Sequence, residues 1–248
     1  MTNHEFKVTC EAGLARVDLN RPDEGNALTR AMMVQLAATL RELGKQPDVH
    51  VVTLEARGKQ FCRGRDGKGE SRAGMTPYEV RQKMMGAVLD VYQAVADVPV
   101  PVVALVHADA LGFGCATAVG CDITLASSNA RFAFPEIEHD IPPTMAMCAA
   151  LGKVNSKALS WLIYSAEKIS AERAAVVGLA SKVLPQASFV ADSDAFLKTL
   201  ASRPRLVLET IKLSIEGRAP DARHGFEIRR HFACARPLAG GGFAPASN

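Results

Sequence analysis

Residues Pro101–Glu136 read PVVALVHADALGFGCATAVGCDITLASSNARFAFPE. Val102 to Val106 is a short β-branched run set off by Pro99 and Pro101, the pattern of a buried strand. A glycine-spaced turn follows, Ala110-Leu111-Gly112-Phe113-Gly114. Cys115 to Gly120 is a small-residue segment with helical character, and Ile123 to Ala126 is a second apolar run. Strand, tight turn, helix start: this order places backbone N–H groups at a helix N-terminus, where an anionic oxygen is the natural guest. Gly112 and Gly114 do not make a dinucleotide fingerprint, because Thr117 stands where the third glycine is required.

On the N-terminal side, residues 6–19 read as two strands turning at Glu11-Ala12-Gly13. Thr29 is the expected N-cap of a helix through about Leu43, with Met32, Met33, Leu36, Leu40 and Leu43 on one face and Gly44 and Pro47 as terminators. His50 to Leu54 is a buried-type strand. Arg57 to Gly74 carries no periodic apolar pattern and reads as a loop, and Tyr78 to Val95 reads as a second helix. This alternation predicts βαβ crossovers and a largely parallel sheet. Beyond Glu136, helices are expected at Lys153–Ile163, Ala171–Val176, Asp194–Leu200 and Arg205–Ile215, so a sheet-bearing part precedes a helical one. No internal repeat is evident in the sequence, and residues 240–248 are expected to be disordered.

Composition narrows the class. The chain has 248 residues, 48% of them hydrophobic and 22% charged, which suits one α/β domain with a well-buried core. A net charge of +3 is too weak to argue for nucleic acid and suits an anionic small molecule. The cysteines at 10, 62, 115, 121, 148 and 234 form no CxxC pair and no metal-ligand spacing with histidine. They read as reduced thiols, with no metal site expected. MTNHEFKVTC lacks the apolar core of a signal peptide, and no run reaches the roughly 18 apolar residues of a membrane span. A cytoplasmic protein with neither a nucleic-acid nor a membrane partner is expected.

An ordered set of motifs then carries a resemblance. Leu19-Asn20-Arg21-Pro22 with Asn26-Ala27-Leu28 comes first. Val51 to Leu54 follows, then Phe61-Cys62-Arg63-Gly64-Arg65-Asp66. Next come Ala110-Leu111-Gly112-Phe113-Gly114-Cys115, Cys121-Asp122-Ile123 and Phe132-Ala133-Phe134-Pro135-Glu136-Ile137. Lys168-Ile169-Ser170 through Ala174, with Gly178-Leu179-Ala180, closes the set. In this order they resemble the crotonase (enoyl-CoA hydratase/isomerase) family over about residues 6–232. The resemblance implies an α/β fold, a crotonase-like ββα spiral. Residues 1–190 would form the core, and residues 191–248 a helical C-terminal region used in trimerisation. It implies an acyl-CoA substrate, a homotrimer or dimer of trimers, and no cofactor beyond the coenzyme A of the substrate. Backbone N–H groups of Arg65 and Gly112 would hold the thioester oxygen. Ala27, Arg63, Arg65, Asp66, Gly67, Lys68 and Gly112 would contact substrate or CoA. An enolate gains negative charge on that oxygen, and each preorganised donor contributes about 3–4 kcal/mol by analogy with other oxyanion holes.

Family hydratases resemble one another in using two glutamates. The first position is Ala116 here and the second is Glu136, so one carboxylate is kept and one is missing. Hydration needs an activated water and a delivered proton, whereas a 1,3 double-bond shift needs one base that removes and returns a proton. Isomerisation by Glu136 is therefore expected over hydration. The alternatives are a hydratase using Asp140 or water in place of the missing glutamate, a thioester hydrolase, and a CoA-binding protein without catalysis. Asp140 is the expected stand-in catalytic carboxylate, His139 is a further acid/base candidate, and Glu138 is expected to face solvent. Leu159, Leu162, Ile163, Leu206, Val207 and Ile211 are more apolar residues than one sheet face needs, which predicts an oligomer interface from Lys153 onward.

Overall fold

The computed structural model describes residues 5–68, 73–80 and 85–215. Cys234, the tail 240–248 and the rest of the C-terminal region past 215 lie outside the described residues.

Strands β1 (Phe6–Glu11) and β2 (Leu14–Leu19) form an antiparallel hairpin that turns through Ala12 and Gly13, both at positive φ. Helix α1 (Arg30–Lys45) starts at Thr29, whose side chain accepts from the Met32 N–H. Three strand pairs follow: β3 (Val51–Ala56) with β4 (Gln60–Cys62), β5 (Val102–Val106) with β6 (Asp109–Leu111), and β7 (Ile123–Ser127) with β8 (Arg131–Ala133). Helices α2 (Pro77–Val80) and α3 (Gly86–Asp97) follow the first pair, α4 (Phe113–Gly120) the second, and α5 (Thr144–Ala150) the third. The remaining elements are α6 (Ser156–Ser165), β9 (Ile169–Ser170), α7 (Ala171–Val177), β10 (Lys182–Leu184), α8 (Phe189–Ala201) and α9 (Arg205–Ile215).

The first strand of each pair enters one sheet and the second enters another. The six-stranded sheet runs β1-β2-β3-β5-β7-β10 and is parallel from β2 onward; the four-stranded sheet runs β4-β6-β8-β9. The result is a structural repeat of ββα units with no matching sequence repeat. Its periodicity lies in where the chain breaks between strands, not in which residues recur. β5 shows the reason for the buried-strand pattern: all five of its residues are buried, because both faces of the sheet are covered.

Several expectations are corrected. Residues 60–62, inside the segment read as a loop, and 109–111, which overlap the start of the segment read as a turn, are strands of the second sheet. Three residues are too few to show a period of two. The part after Glu136 is not purely helical, since β10 completes the large sheet beside β7. Gly44 does not end α1, which continues to Lys45. It is instead a close-packing site, where an added Cβ would lie 2.9 Å from Pro99 Cδ. The helix read over Tyr78–Val95 appears as α2 and α3, with 81–84 outside the described residues. Leu159, Leu162 and Ile163 are buried within the chain's own core rather than offered to a partner. The exposed large apolar residues of that helix are Trp161 and Tyr164, and on α9 they include Leu206 and Ile211.

An ion pair made by a buried lysine ties α9 to the core. Lys212 is 4% exposed. Its Nζ donates to Asp122 Oδ2 at 2.8 Å, to Val95 O at 3.0 Å and to Val100 O at 3.3 Å. Asp122 Oδ2 also accepts the Val102 N–H at 2.7 Å, so this pair fixes the start of β5 as well.

Candidate active site

The site lies where β6 gives way to α4. Gly112, the N-cap of α4, has φ 52° and ψ −121°, a conformation open to glycine and strained for other residues. This sharp reversal starts the helix immediately after the strand. Gly114 is required for a different reason: a Cβ there would lie 2.5 Å from Cys62 O. The two glycines let α4 begin against the end of β4.

The geometry corrects one expected donor. The Gly112 N–H donates to Ala133 O at 2.9 Å, continuing the β6–β8 pairing, so it is already spent. Phe113 is the first residue of α4, where an N–H has no partner inside the helix. A Cβ on Gly64 would lie 3.6 Å from Phe113 N and 3.2 Å from Leu111 O, so the 64–65 segment runs alongside this helix start. The family spacing misled by one residue because the turn uses the first N–H for the sheet.

Arg65 holds its place through a parallel bridge to Leu28. The bridge uses the Leu28 N–H to Gly64 O at 3.0 Å and the Asp66 N–H to Leu28 O at 2.8 Å. Alternation along an extended chain turns the Arg65 N–H to the opposite side, the side of α4.

Glu136 supplies the carboxylate. It sits in the 3₁₀ turn Pro135–His139. A Cβ on Gly112 would lie 3.0 Å from Glu136 Oε1, so the carboxylate rests on the bare glycine. Its Oε2 is buried with no hydrogen-bond partner among the described residues. Burial pushes its pKa above the ordinary carboxylate range, and its own backbone N–H offsets this in part. Cys115 lies close enough for the Glu136 charge to be felt, but desolvation pushes its thiol up and leaves it inert. Ala116 is fully buried in the core. Two backbone donors beside a half-buried carboxylate can stabilise an enolate and move a proton to and from carbon.

The model of the enoyl-CoA hydratase/isomerase family matches residues 9–227. The chain belongs to that family. A probable enoyl-CoA hydratase of Mycobacterium leprae is 30% identical over 207 residues, 81% of this chain and 78% of the relative. The rat enoyl-CoA hydratase domain-containing protein 3, mitochondrial, is 28% identical over 208 residues, 84% of this chain and 69% of the relative. The crystal structure of an enoyl-CoA hydratase of Mycobacterium smegmatis superposes with a TM-score of 0.83 at 29% identity, covering 93% of this chain and 90% of that one. The chain is thus a crotonase-fold enzyme of the hydratase/isomerase type. Among its described residues, no helix is long and apolar enough to cross a membrane.

The other residues expected at the site divide into two groups. Asp140 is exposed at φ 55° and ends the turn that carries Glu136, its N–H donating to Ile137 O at 3.1 Å. His139 and Glu138 are exposed. Asp140 also lines an apolar cleft of about 590 Å³ shared with Ile137, Ile141, Met147 and Tyr164. On the other side, Arg63, Gly67 and Lys68 are exposed. Asp66 is committed to holding its own loop: it accepts from the Lys68 N–H at 3.1 Å and pairs with Arg21 at 3.4 Å, which keeps its pKa low. The Ala27 carbonyl is likewise taken, by Arg21 Nη1 at 2.7 Å. Asn26, fully buried, donates to Arg57 O and Gln60 O and so ties this early loop to the 60–66 segment.

Sequence reasoning missed Phe113 and Tyr92. Phe113 was hidden by its neighbouring glycines. Tyr92, on α3, stacks on the Phe113 ring with centroids 5.7 Å apart at 24°. A lone tyrosine in an amphipathic helix gives no signal of its own in sequence.

Proposed function

We propose that this enzyme shifts a carbon–carbon double bond within the acyl group of an enoyl-CoA, with Glu136 as the single base. The Arg65 and Phe113 N–H groups hold the thioester oxygen. Glu136 takes a proton from C2 of a 3-enoyl-CoA, and the C–H electrons pass into a dienolate. The same carboxyl returns the proton at C4, leaving the double bond between C2 and C3 and the carbonyl restored. The observation that carries this reading is the Glu136 carboxylate beside Gly112, half-buried and with its Oε2 buried and unpartnered among the described residues, together with a fully buried alanine at the second position. Its raised pKa brings the base nearer neutrality, where removing and returning a proton are better balanced. The hydratase reading that relies on Asp140 finds less support, because that residue is exposed and ends the turn.

Arg63 and Lys68 are the exposed cations assigned to the CoA phosphates, with the Gly67 backbone between them. Asp66 and Ala27 shape that face by holding Arg21. No cofactor other than the CoA of the substrate is required. Assembly as a trimer or dimer of trimers would use the exposed apolar residues from Lys153 onward, including Trp161 and Tyr164, and light scattering at micromolar concentration reads it directly. The functional test supplies purified protein with 3-enoyl-CoA and with 2-enoyl-CoA, following conjugated thioester absorbance and free thiol together. Appearance of 2-enoyl-CoA without thiol release is expected. Thiol release would point to hydrolysis, and efficient loss of 2-enoyl absorbance would point to hydration.

A further inference from the structure

Tyr92 is a phenol in an apolar place. It is half-buried, its ring lies flat on Phe113, and Phe113 carries the N–H assigned to the thioester oxygen. Its hydroxyl has no hydrogen bond among the described residues. The groups whose charge would reach it are Glu136, Cys115, Cys62 and Cys148. Cys115 of α4 and Cys62 beside it are held protonated by burial, the latter pushed up to about 12. Burial first and the Glu136 carboxylate second keep the Tyr92 phenol protonated too, so at any working pH it is a donor and not a base.

Three features therefore lie near the start of α4: the backbone donor of Phe113, the carboxylate of Glu136 resting on Gly112, and the Tyr92 phenol, whose ring stacks on Phe113 and which lies close enough to feel the Glu136 charge. The first two act on the thioester and the adjoining carbons. The third has no task in that chemistry. A hydrocarbon acyl chain lying against it would take its remaining water and give nothing back, a cost of about 1–3 kcal/mol for an unsatisfied polar group. An acyl chain with an oxygen within reach would satisfy it.

We propose that Tyr92 is a specificity-determining residue whose hydroxyl donates a hydrogen bond to an oxygen on the acyl chain, so that the site selects oxygenated acyl-CoA esters over plain hydrocarbon ones. This rests on the acyl-CoA reading of the site and names the substrate class within it. Sites built to hydrogen-bond a substrate group discriminate against the analogue lacking it far more strongly than apolar pockets discriminate by size.

The test measures binding, so that it does not depend on which reaction the enzyme performs. In a Glu136→Gln background, which removes the base, dissociation constants are measured by calorimetry for butyryl-CoA, 3-hydroxybutyryl-CoA and 4-hydroxybutyryl-CoA. At least one hydroxylated ester is expected to bind about tenfold tighter than butyryl-CoA, the size of one satisfied hydrogen bond. Adding Tyr92→Phe, which keeps the ring on Phe113 and removes only the hydroxyl, is expected to bring that ratio to about one. A ratio that starts near one, or that survives Tyr92→Phe, overturns the role of Tyr92 while leaving the acyl-CoA reading in place. Failure of all three esters to bind overturns the acyl-CoA reading and this proposal with it.

Discussion

Two carboxylates next to α4 are held in opposite ways. At the C-terminal end, Asp122 accepts from Lys212 Nζ at 2.8 Å and from the Val102 N–H at 2.7 Å, and Lys212 spends its other protons on two backbone carbonyls. At the N-terminal end, Glu136 keeps Oε2 buried with no partner among the described residues. The first is compensated by fixed partners and serves architecture, joining α9 to the start of β5. The second is left uncompensated, and its pKa rises accordingly. A protein keeps such a group where a proton has to move, because a carboxylate satisfied by fixed donors would be a poor base.

The largest effect that tests this contrast is Glu136→Gln. The amide keeps the shape but cannot take a proton, so turnover is expected to fall by about 10²–10⁴ while acyl-CoA binding stays within a few-fold. Steady-state kinetics with calorimetric binding read both, and wild-type kcat in the variant would remove Glu136 from the mechanism. The matching change at the other end is Lys212→Met. It is expected to destabilise the fold by about 1–3 kcal/mol, because the carbonyls of buried Val95 and Val100 lose their donor and Asp122 loses its cation. Chemical denaturation measures it, with Asp122→Asn added to recover part of the loss; an unchanged midpoint would show that the pair holds nothing.

Smaller effects sharpen the comparison. Ala116→Glu places a second carboxylate in the first turn of α4. Water addition to a 2-enoyl-CoA is expected to rise on the order of tenfold, well short of a well-placed acid/base group. The gain is limited because the methyl is fully buried and its neighbours have packed around it. Its thermal midpoint should fall, and no rise in hydration rate would show that the position cannot reach the substrate. The smallest effect is on stability alone. Because the pKa of Glu136 is raised in the folded state, that state binds more protons than the unfolded chain between the ordinary carboxylate range and the raised value. Its contribution to stability is therefore present at low pH and lost as pH rises through that window. Glu136→Gln should raise the thermal midpoint at pH 7 and leave it unchanged below about pH 4. The acidic limb of the wild-type pH–rate profile should correspondingly lie above the ordinary glutamate range, near 4.3.

Long periodic segments were legible in the sequence. The α1 face of Met32, Met33, Leu36, Leu40 and Leu43 is buried as its spacing required, and α9 spans Arg205–Ile215 as read. The junction Ala110–Gly114 was visible as a strand-to-helix turn because only glycine accepts the backbone that Gly112 adopts. Its chemistry was legible less evenly. Glu136 stood out after Pro135, but Asp140 drew notice only by proximity in sequence, and the structure leaves it exposed.

The sequence by itself determined the family, the order of the major elements and the presence of one carboxylate with alanine at the second position. These reside in residue identity and in local periodicity, which need no partner to be read. Tertiary structure alone decided which N–H at the turn is spent, since that depends on Ala133 arriving from β8. It also decided that residues 60–62 and 109–111 are strands, because a three-residue strand exists only through its neighbours. It set Tyr92 flat against Phe113 across two helices, a contact between residues 21 positions apart that no local pattern encodes.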